Sequence, residues 1–112
     1  MTKLSREGIP PGSLEMLILT TLSGGAELHG FEIAEAIQSR SDDVLQVEEG
    51  SLYPALQRLL AKGWIADTWD RTAENRRARY YRLTPSGRRE LAREVERYRR
   101  VARAIEQILQ PI

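Results

Sequence analysis

Residues 49–82 read EGSLYPALQRLLAKGWIADTWDRTAENRRARYYR, and the fold turns on this stretch. Within residues 52–60 the apolar side chains fall at Leu52, Ala55, Leu56, Leu59 and Leu60. That is the spacing of a helix with one buried face. Ser51 is the expected N-cap, which places Pro54 in the first turn, where a missing N–H breaks no intrahelical bond. Gly63, after Lys62, is the expected C′ residue. The remaining face carries Tyr53, Gln57, Arg58 and, a turn later, Lys62, with no acid among them. Hydroxyl, amide, guanidinium and ammonium groups suit phosphates and base edges in a DNA major groove.

The second half of the stretch predicts a hairpin. Residues 64–69 and 78–83 are rich in aromatic, Thr and apolar residues, and the segment between them holds Asp70, Glu74 and Asn75. Arg76, Arg77 and Arg79 crowd the descending side of the expected loop, with Arg82 beyond. A helix followed by a hairpin with a basic tip is the layout of a winged helix-turn-helix. In that layout the helix reads the major groove and the wing touches backbone or minor groove.

Charge distribution supports a polyanionic partner better than net charge does. The formal net charge is only +1. Residues 1–70, however, hold 5 Lys/Arg against 11 Asp/Glu, whereas residues 71–103 hold 12 Arg against 4 Glu. The basic half is therefore a patch and not a uniform field. With no cysteine in the chain, disulfides and thiolate metal sites are excluded, and a reducing cytoplasm fits. No apolar h-region follows Lys3 and Arg6, and no apolar run approaches the ~20 residues of a membrane span. At 112 residues the chain is expected to form one domain with an appended helix: a winged helix-turn-helix with its N-terminal arm over 1–83, and a C-terminal dimerisation helix over 84–112.

The other segments complete a three-helix frame. Residues 1–11 form a short polar arm, free or lying along DNA, with Lys3 as a DNA contact. Ser13 is expected to cap a helix to about Ser23, ended by Gly24-Gly25, with Leu14, Leu17, Ile18, Thr21 and Leu22 on one face. His29-Gly30 opens a second helix to about Arg40, with Phe31, Ile33, Ala34 and Ile37 inward. His29 is the only histidine, and its expected role is in a cap or the core. With no glycine-rich phosphate loop and no catalytic constellation, the chain reads as a non-enzyme that needs no cofactor or metal. Val44, Leu45 and Val47 suggest a short extended piece before the third helix.

From Thr84 onward the pattern is one long helix, with Thr84 as N-cap and Pro85 at N1. Leu91, Val95, Tyr98, Ala102, Ile105 and Leu109 are spaced alternately by 4 and 3, a heptad seam that Val101 and Ile108 broaden. About 24 residues at ~1.5 Å each make a rod of roughly 36 Å, too long to bury on so small a core. Pairing with a second copy keeps the seam dry. The competing reading is a protein-interaction module that uses the same surfaces without specific DNA binding.

These residues resemble the PadR family of bacterial transcriptional regulators. The likeness is carried by Gly12-Ser13-Leu14, Leu17-Ile18-Leu19, His29-Gly30-Phe31-Glu32-Ile33 and Glu49-Gly50-Ser51-Leu52-Tyr53-Pro54-Ala55-Leu56. It continues through Leu59, Gly63-Trp64-Ile65 and Arg79-Tyr80-Tyr81-Arg82-Leu83-Thr84 with Gly87, and covers about residues 10–90. The family usually has Tyr at the position of Phe31 and often Thr at that of Ser51. The resemblance implies a cytoplasmic homodimeric repressor of the short-tailed branch, acting on a near-palindromic double-stranded operator. It also implies Ser51, Tyr53 and Gln57 on the recognition helix, and Arg76, Arg77 and Arg79 on the wing. A small aromatic effector enters as a partner class because some members respond to such ligands. Trp64, Trp69 and Tyr98 could line a pocket for one, although a hairpin core and a helix seam would use the same residues.

Overall fold

Three short helices close on one apolar cluster, and a hairpin and a long helix extend from it. The structure, a computed structural model, describes residues 7–112. In order the elements are β1 (Glu7–Gly8), α1 (Leu14–Leu22), β2 (Leu28–His29), α2 (Gly30–Arg40) and β3 (Leu45–Gln46). They are followed by α3 (Glu49–Ala61), β4 (Ile65–Arg71), β5 (Arg77–Leu83) and α4 (Pro85–Leu109). This is the mainly α architecture with a small sheet that the sequence predicts. The core is built from Ile18, Leu19 and Leu22 of α1, Ile33 and Ile37 of α2, and Leu52, Ala55, Leu56 and Leu59 of α3, closed by Ile65 and Tyr81 of the sheet.

Several local expectations give way to the tertiary arrangement. Phe31 is 68% exposed, not inward. The buried positions of α2 are Gly30, Ile33 and Ile37, and a residue two before Ile33 lies roughly 200° around the helix from it. Ser13 occupies the N-cap of α1 but its side chain makes no cap hydrogen bond. The N-terminal arm, from Glu7 on, is not free. β1 pairs in parallel with β3 in the register Glu7↔Leu45 and Gly8↔Gln46. Lys3 lies outside the described residues.

α3 begins two residues before the expected cap. Glu48 is the N-cap, Ser51 is the third helical residue and Pro54 sits inside the helix. The acids Glu48 and Glu49 suit the positive end of the helix dipole, so the start of α3 is not acid-free. The amide that Pro54 lacks would have bonded the carbonyl of Gly50, an exposed residue whose carbonyl water can satisfy.

His29 caps α2 in a reciprocal box. Its Nδ1 accepts from the Glu32 N–H at 3.3 Å, and a Glu32 carboxylate oxygen accepts from the His29 N–H at 3.1 Å. An unprotonated imidazole nitrogen here does the work usually given to a Ser or Thr hydroxyl. The three-stranded sheet runs β2-β5-β4, with β2 and β4 both antiparallel to β5. Through the pairs Leu28↔Tyr81 and His29↔Tyr80, the base of the hairpin is tied to the start of α2.

α4 starts against the junction between α3 and β4. The Thr84 hydroxyl accepts from the Gly87 N–H at 3.0 Å, forming the expected cap. The Thr84 and Ser86 hydroxyls both donate to the Gly63 carbonyl, at 2.7 and 3.0 Å, and the Thr84 N–H donates to the Trp64 carbonyl at 3.1 Å. Gly87 is buried here, and a Cβ on it would lie 1.9 Å from the Trp64 carbonyl oxygen. Leu91 packs against the domain's own core. Beyond it the helix leaves the body. Val95 and Ala102 are half-buried, while Tyr98, Ile105 and Leu109 are exposed. The radius of gyration is 15.7 Å, against about 13 Å for an ordinary domain of this length, which the projecting helix explains.

Gly87→Ala is expected to destabilise the fold by about 3 kcal/mol or more, because backbone and not a flexible side chain blocks the new methyl. Gly50→Ala, which meets open space in the first turn of α3, is expected to stabilise by roughly 0.4–1 kcal/mol through the unfolded chain. Thermal or denaturant unfolding of the two variants beside the wild type checks both signs.

Candidate nucleic-acid interface

The wing and α3 face each other across a groove floored by the start of α2, and each wall follows from a local periodicity. On α3, the buried set Leu52, Ala55, Leu56 and Leu59 leaves Gly50, Pro54, Gln57 and Ala61 pointing directly outward. This strip is small except for Gln57, so the helix backbone can approach a partner closely. Tyr53 lies on the flank towards α2 and the wing. Its ring packs on the backbone of Gly30, where an added Cβ would come within 3.2 Å of the Tyr53 hydroxyl oxygen. The His-Gly pair opening α2 and the Tyr of α3 are thus one contact, which orients a half-exposed phenol into the groove.

Ser51, Arg58 and Lys62 occupy the opposite flank of α3. The Arg58 Nε donates to Glu15 Oε1 of α1 at 2.5 Å, and Lys62 Nζ lies 4.0 Å from the other Glu15 oxygen. Lys62 also sits 4.7 Å above the Trp64 ring. Both cations lean towards α1, and one carboxylate holds them. No spacing rule along α3 could have revealed a partner 43 positions away in sequence.

On the wing, β4 and β5 run longer than the sequence predicts, so Arg77 joins Arg79 in β5 and only Arg76 stays in the loop. Arg77 and Arg79 are strand residues of β5. Alternation puts them on the face that, lower down, supplies Ile65 and Tyr81 to the core. Their side chains therefore line the groove. Trp69, paired in register with Arg79, is 50% exposed and not a core residue. The guanidinium carbons of Arg77 and Arg79 lie 4.6 and 5.0 Å from its ring centre. Asp67 Oδ2 stands 3.0 Å from the Arg79 Nε, but the N–H is not directed at it, so the contact is an ion pair without a hydrogen bond. Burial pushes the Tyr81 phenol above its ordinary pKa, with the Arg79 guanidinium opposing. Desolvation, with Glu32, Asp70 and Glu74 behind it, does the same to Tyr80. Both remain neutral phenols at neutral pH.

Arg71 is a member of this site that the shorter predicted strand hides. Extending the alternation by two residues places it directly across from Arg77. The loop between them is braced by Asn75 at φ 62, whose carbonyl accepts from Arg71 at 3.2 Å, and by a Thr72 N–H to Arg76 carbonyl bond of 2.8 Å. Like charges directly opposite on a two-stranded ladder are unfavourable by themselves. Arg79 is paired with Asp67, and Arg82 with Glu27 at 3.7 Å. Among the described residues, no carboxylate stands within ion-pair distance of Arg71, Arg76 or Arg77. Phe31, expected from sequence to face inward, stands exposed beside Tyr53 at the groove's floor. Described residues hold no group of three or more His, Asp or Glu arranged for a metal ion, and no helix is long and apolar enough to cross a membrane.

A helix-turn-helix whose third helix is followed by a basic hairpin defines a winged-helix DNA-binding protein. Residues 18–93 match the transcriptional regulator PadR-like family, and the chain belongs to that family. It is 26% identical to a transcriptional regulator from Clostridium thermocellum, with 88% of this chain and 95% of that one covered and a TM-score of 0.79. A PadR family transcription regulator from Clostridium difficile is 28% identical, with 88% and 100% covered and a TM-score of 0.74. An uncharacterised protein of Lysinibacillus sphaericus is 29% identical over 101 residues, covering 90% of this chain and 92% of its own.

Because Glu15 restrains both Arg58 and Lys62, Glu15→Gln is expected to raise affinity for random duplex DNA severalfold at low salt. Exposed pairs of this kind contribute little to folding, so stability should change by less than about 1 kcal/mol. Fluorescence anisotropy with a labelled duplex, beside a melting curve, measures the two effects. Unchanged affinity would place these cations out of reach of DNA.

Proposed function

We propose that this PadR-family regulator is a cytoplasmic homodimer that represses transcription by occupying a near-palindromic operator. The observation that carries this reading is the cluster Arg71, Arg76 and Arg77 at the wing, left without acidic partners and including a like-charge cross-strand pair. A polyanion relieves that repulsion, and local conflicts of this kind are tolerated where function needs them. α3 enters the major groove with Gln57 on its outward strip to meet base edges. Tyr53 and Ser51 bond phosphates on either flank, and the wing arginines ride the backbone. Arg58 and Lys62 join once they exchange Glu15 for phosphate.

The apolar seam of α4 supports the dimer. Tyr98, Ile105 and Leu109 are exposed, as are Val101 and Ile108 beside them, and a stripe of that size in water favours self-association. Leu91 serves its own core, so the pairing surface runs from Val95 to the helix end. Two copies joined this way would present their α3 helices to half-sites about one turn, roughly 34 Å, apart. Release by a small aromatic effector completes the proposal, with the half-exposed Tyr98 on the seam as the aromatic surface it would meet.

The test is anisotropy on random and operator duplexes across a salt series, with mass in solution measured alongside. A dimer whose affinity falls steeply with salt is expected. A monomer indifferent to duplex DNA at low salt would leave the protein-interaction reading in its place. Replacing both Arg76 and Arg77 with Ala should weaken all sequences alike and flatten the salt slope by roughly 0.9 per lost phosphate contact. Gln57→Ala should instead relax discrimination at one or two base pairs, by roughly 1–3 kcal/mol each. Ile105→Glu should give monomers that retain the fold and lose operator affinity.

A further inference from the structure

The wing holds an indole that neither the core nor a phosphate contact accounts for. Trp69 lies four residues past Ile65, the last buried residue of β4. It is half exposed near the free end of a hairpin, where a large apolar ring gains little from burial. Two guanidiniums lie over it, Arg77 at 4.6 Å and Arg79 at 5.0 Å. The register places Arg79 directly across from the ring and Arg77 two residues before, on the same face. Asp67, next along that face, holds Arg79 from its other side at 3.0 Å.

A guanidinium stacked on an aromatic face keeps its N–H donors in its own plane, free for the planar, two-point recognition that phosphate oxygens accept. Without the ring, Arg77 would swing away from Arg71, its like-charged neighbour across the ladder. Both wing cations would then lose more rotamer freedom on meeting DNA. With the ring, their direction into the groove is set before the duplex arrives. We infer that Trp69 is a positioning residue of the DNA interface. It touches the two arginines, not the duplex, and aims their open edges at the phosphates between wing and α3. This role rests on the DNA reading of the wing proposed above.

Trp69→Leu removes the aromatic face and keeps an apolar side chain, whereas Trp69→Phe keeps a smaller face. Both are studied in the full chain. In the free protein, the ring current is expected to shift the Arg77 and Arg79 side-chain NMR signals upfield. Phe should retain part of that shift and Leu none, with the melting temperature lowered by only several degrees because the ring is outside the core. On random duplex DNA, Trp69→Leu should weaken binding by about three- to tenfold, and Trp69→Phe should restore most of it. In a background where Arg77 and Arg79 are both Ala, Trp69→Leu should have no further effect, since coupled residues are not additive.

Absence of the ring-current shift in the wild type would overturn the inference. So would an equal loss from Trp69→Leu in both backgrounds, which would put the indole on the DNA itself, or full affinity without the ring. Duplex binding that lacks the coupling overturns only the positioning role. A wild-type chain that shows the shift yet binds no duplex at low salt overturns the DNA reading, and this role with it.

Discussion

The docking of α4's first turn on the Gly63–Trp64 backbone is the constraint that the rest of the molecule depends on. Three groups from one turn, the Thr84 hydroxyl, the Ser86 hydroxyl and the Thr84 N–H, bond two consecutive carbonyls at the point where α3 ends and the hairpin begins. Gly63 makes that point possible, since its φ of +73 turns the chain out of the helix at little steric cost. Gly87 makes it close, because any Cβ there would occupy the space of the Trp64 carbonyl. One joint therefore sets both the pitch of the wing against α3 and the direction in which α4 leaves. In the proposed dimer, base readout would depend on the first and half-site spacing on the second.

A second lock ties the wing to the start of α2. β2 pairs with β5 at Tyr80 and Tyr81, and the same His29 then caps α2 and sets its ring edge-on to Tyr80 at 5.4 Å. Tyr53 of α3 rests on Gly30 next door. The three surfaces that would meet DNA, namely the start of α2, the outer face of α3 and the groove side of the wing, are thus held together by short contacts among Leu28, His29, Gly30, Tyr53, Tyr80 and Tyr81. They are not left to the hydrophobic core alone, which fixes elements in place but constrains exposed side chains weakly. Preorganisation of that kind lowers the ordering cost of binding.

Electrostatics divides the surface along the same line. Cations on the α1 side of α3 are paired with Glu15, and those at the wing tip have no acidic partner among the described residues. Exposed ion pairs are weak and exchangeable, so the paired set forms a reserve that a phosphate backbone could recruit, and the unpaired set a standing charge. The acidic half of the chain supplies several of the partners, Glu15, Glu27 and Asp67 among them. An uneven linear charge distribution is thereby reconciled with a net charge near neutrality.

The helices, their order, the hairpin and the heptad seam were legible in the sequence, because each rests on a period of 3.6 or 2 that a local window displays. So were the α4 cap at Thr84-Pro85 and the turn at Gly63, which follow from the chemistry of single residues. Tertiary structure alone decided the rest, and for one reason: it depended on partners distant in the chain. Glu15 decides where Arg58 points, the β4–β5 register puts Arg77 and Arg79 over Trp69, and Tyr53 crowds the space that a Cβ on residue 30 would take. Helical phase, which a sequence also contains but which apolar composition can mask, turned Phe31 outward. The fold class could be read from its periodicities, and the family from the resemblance carried by short motifs. How its cations are aimed required knowing which residues meet across the groove.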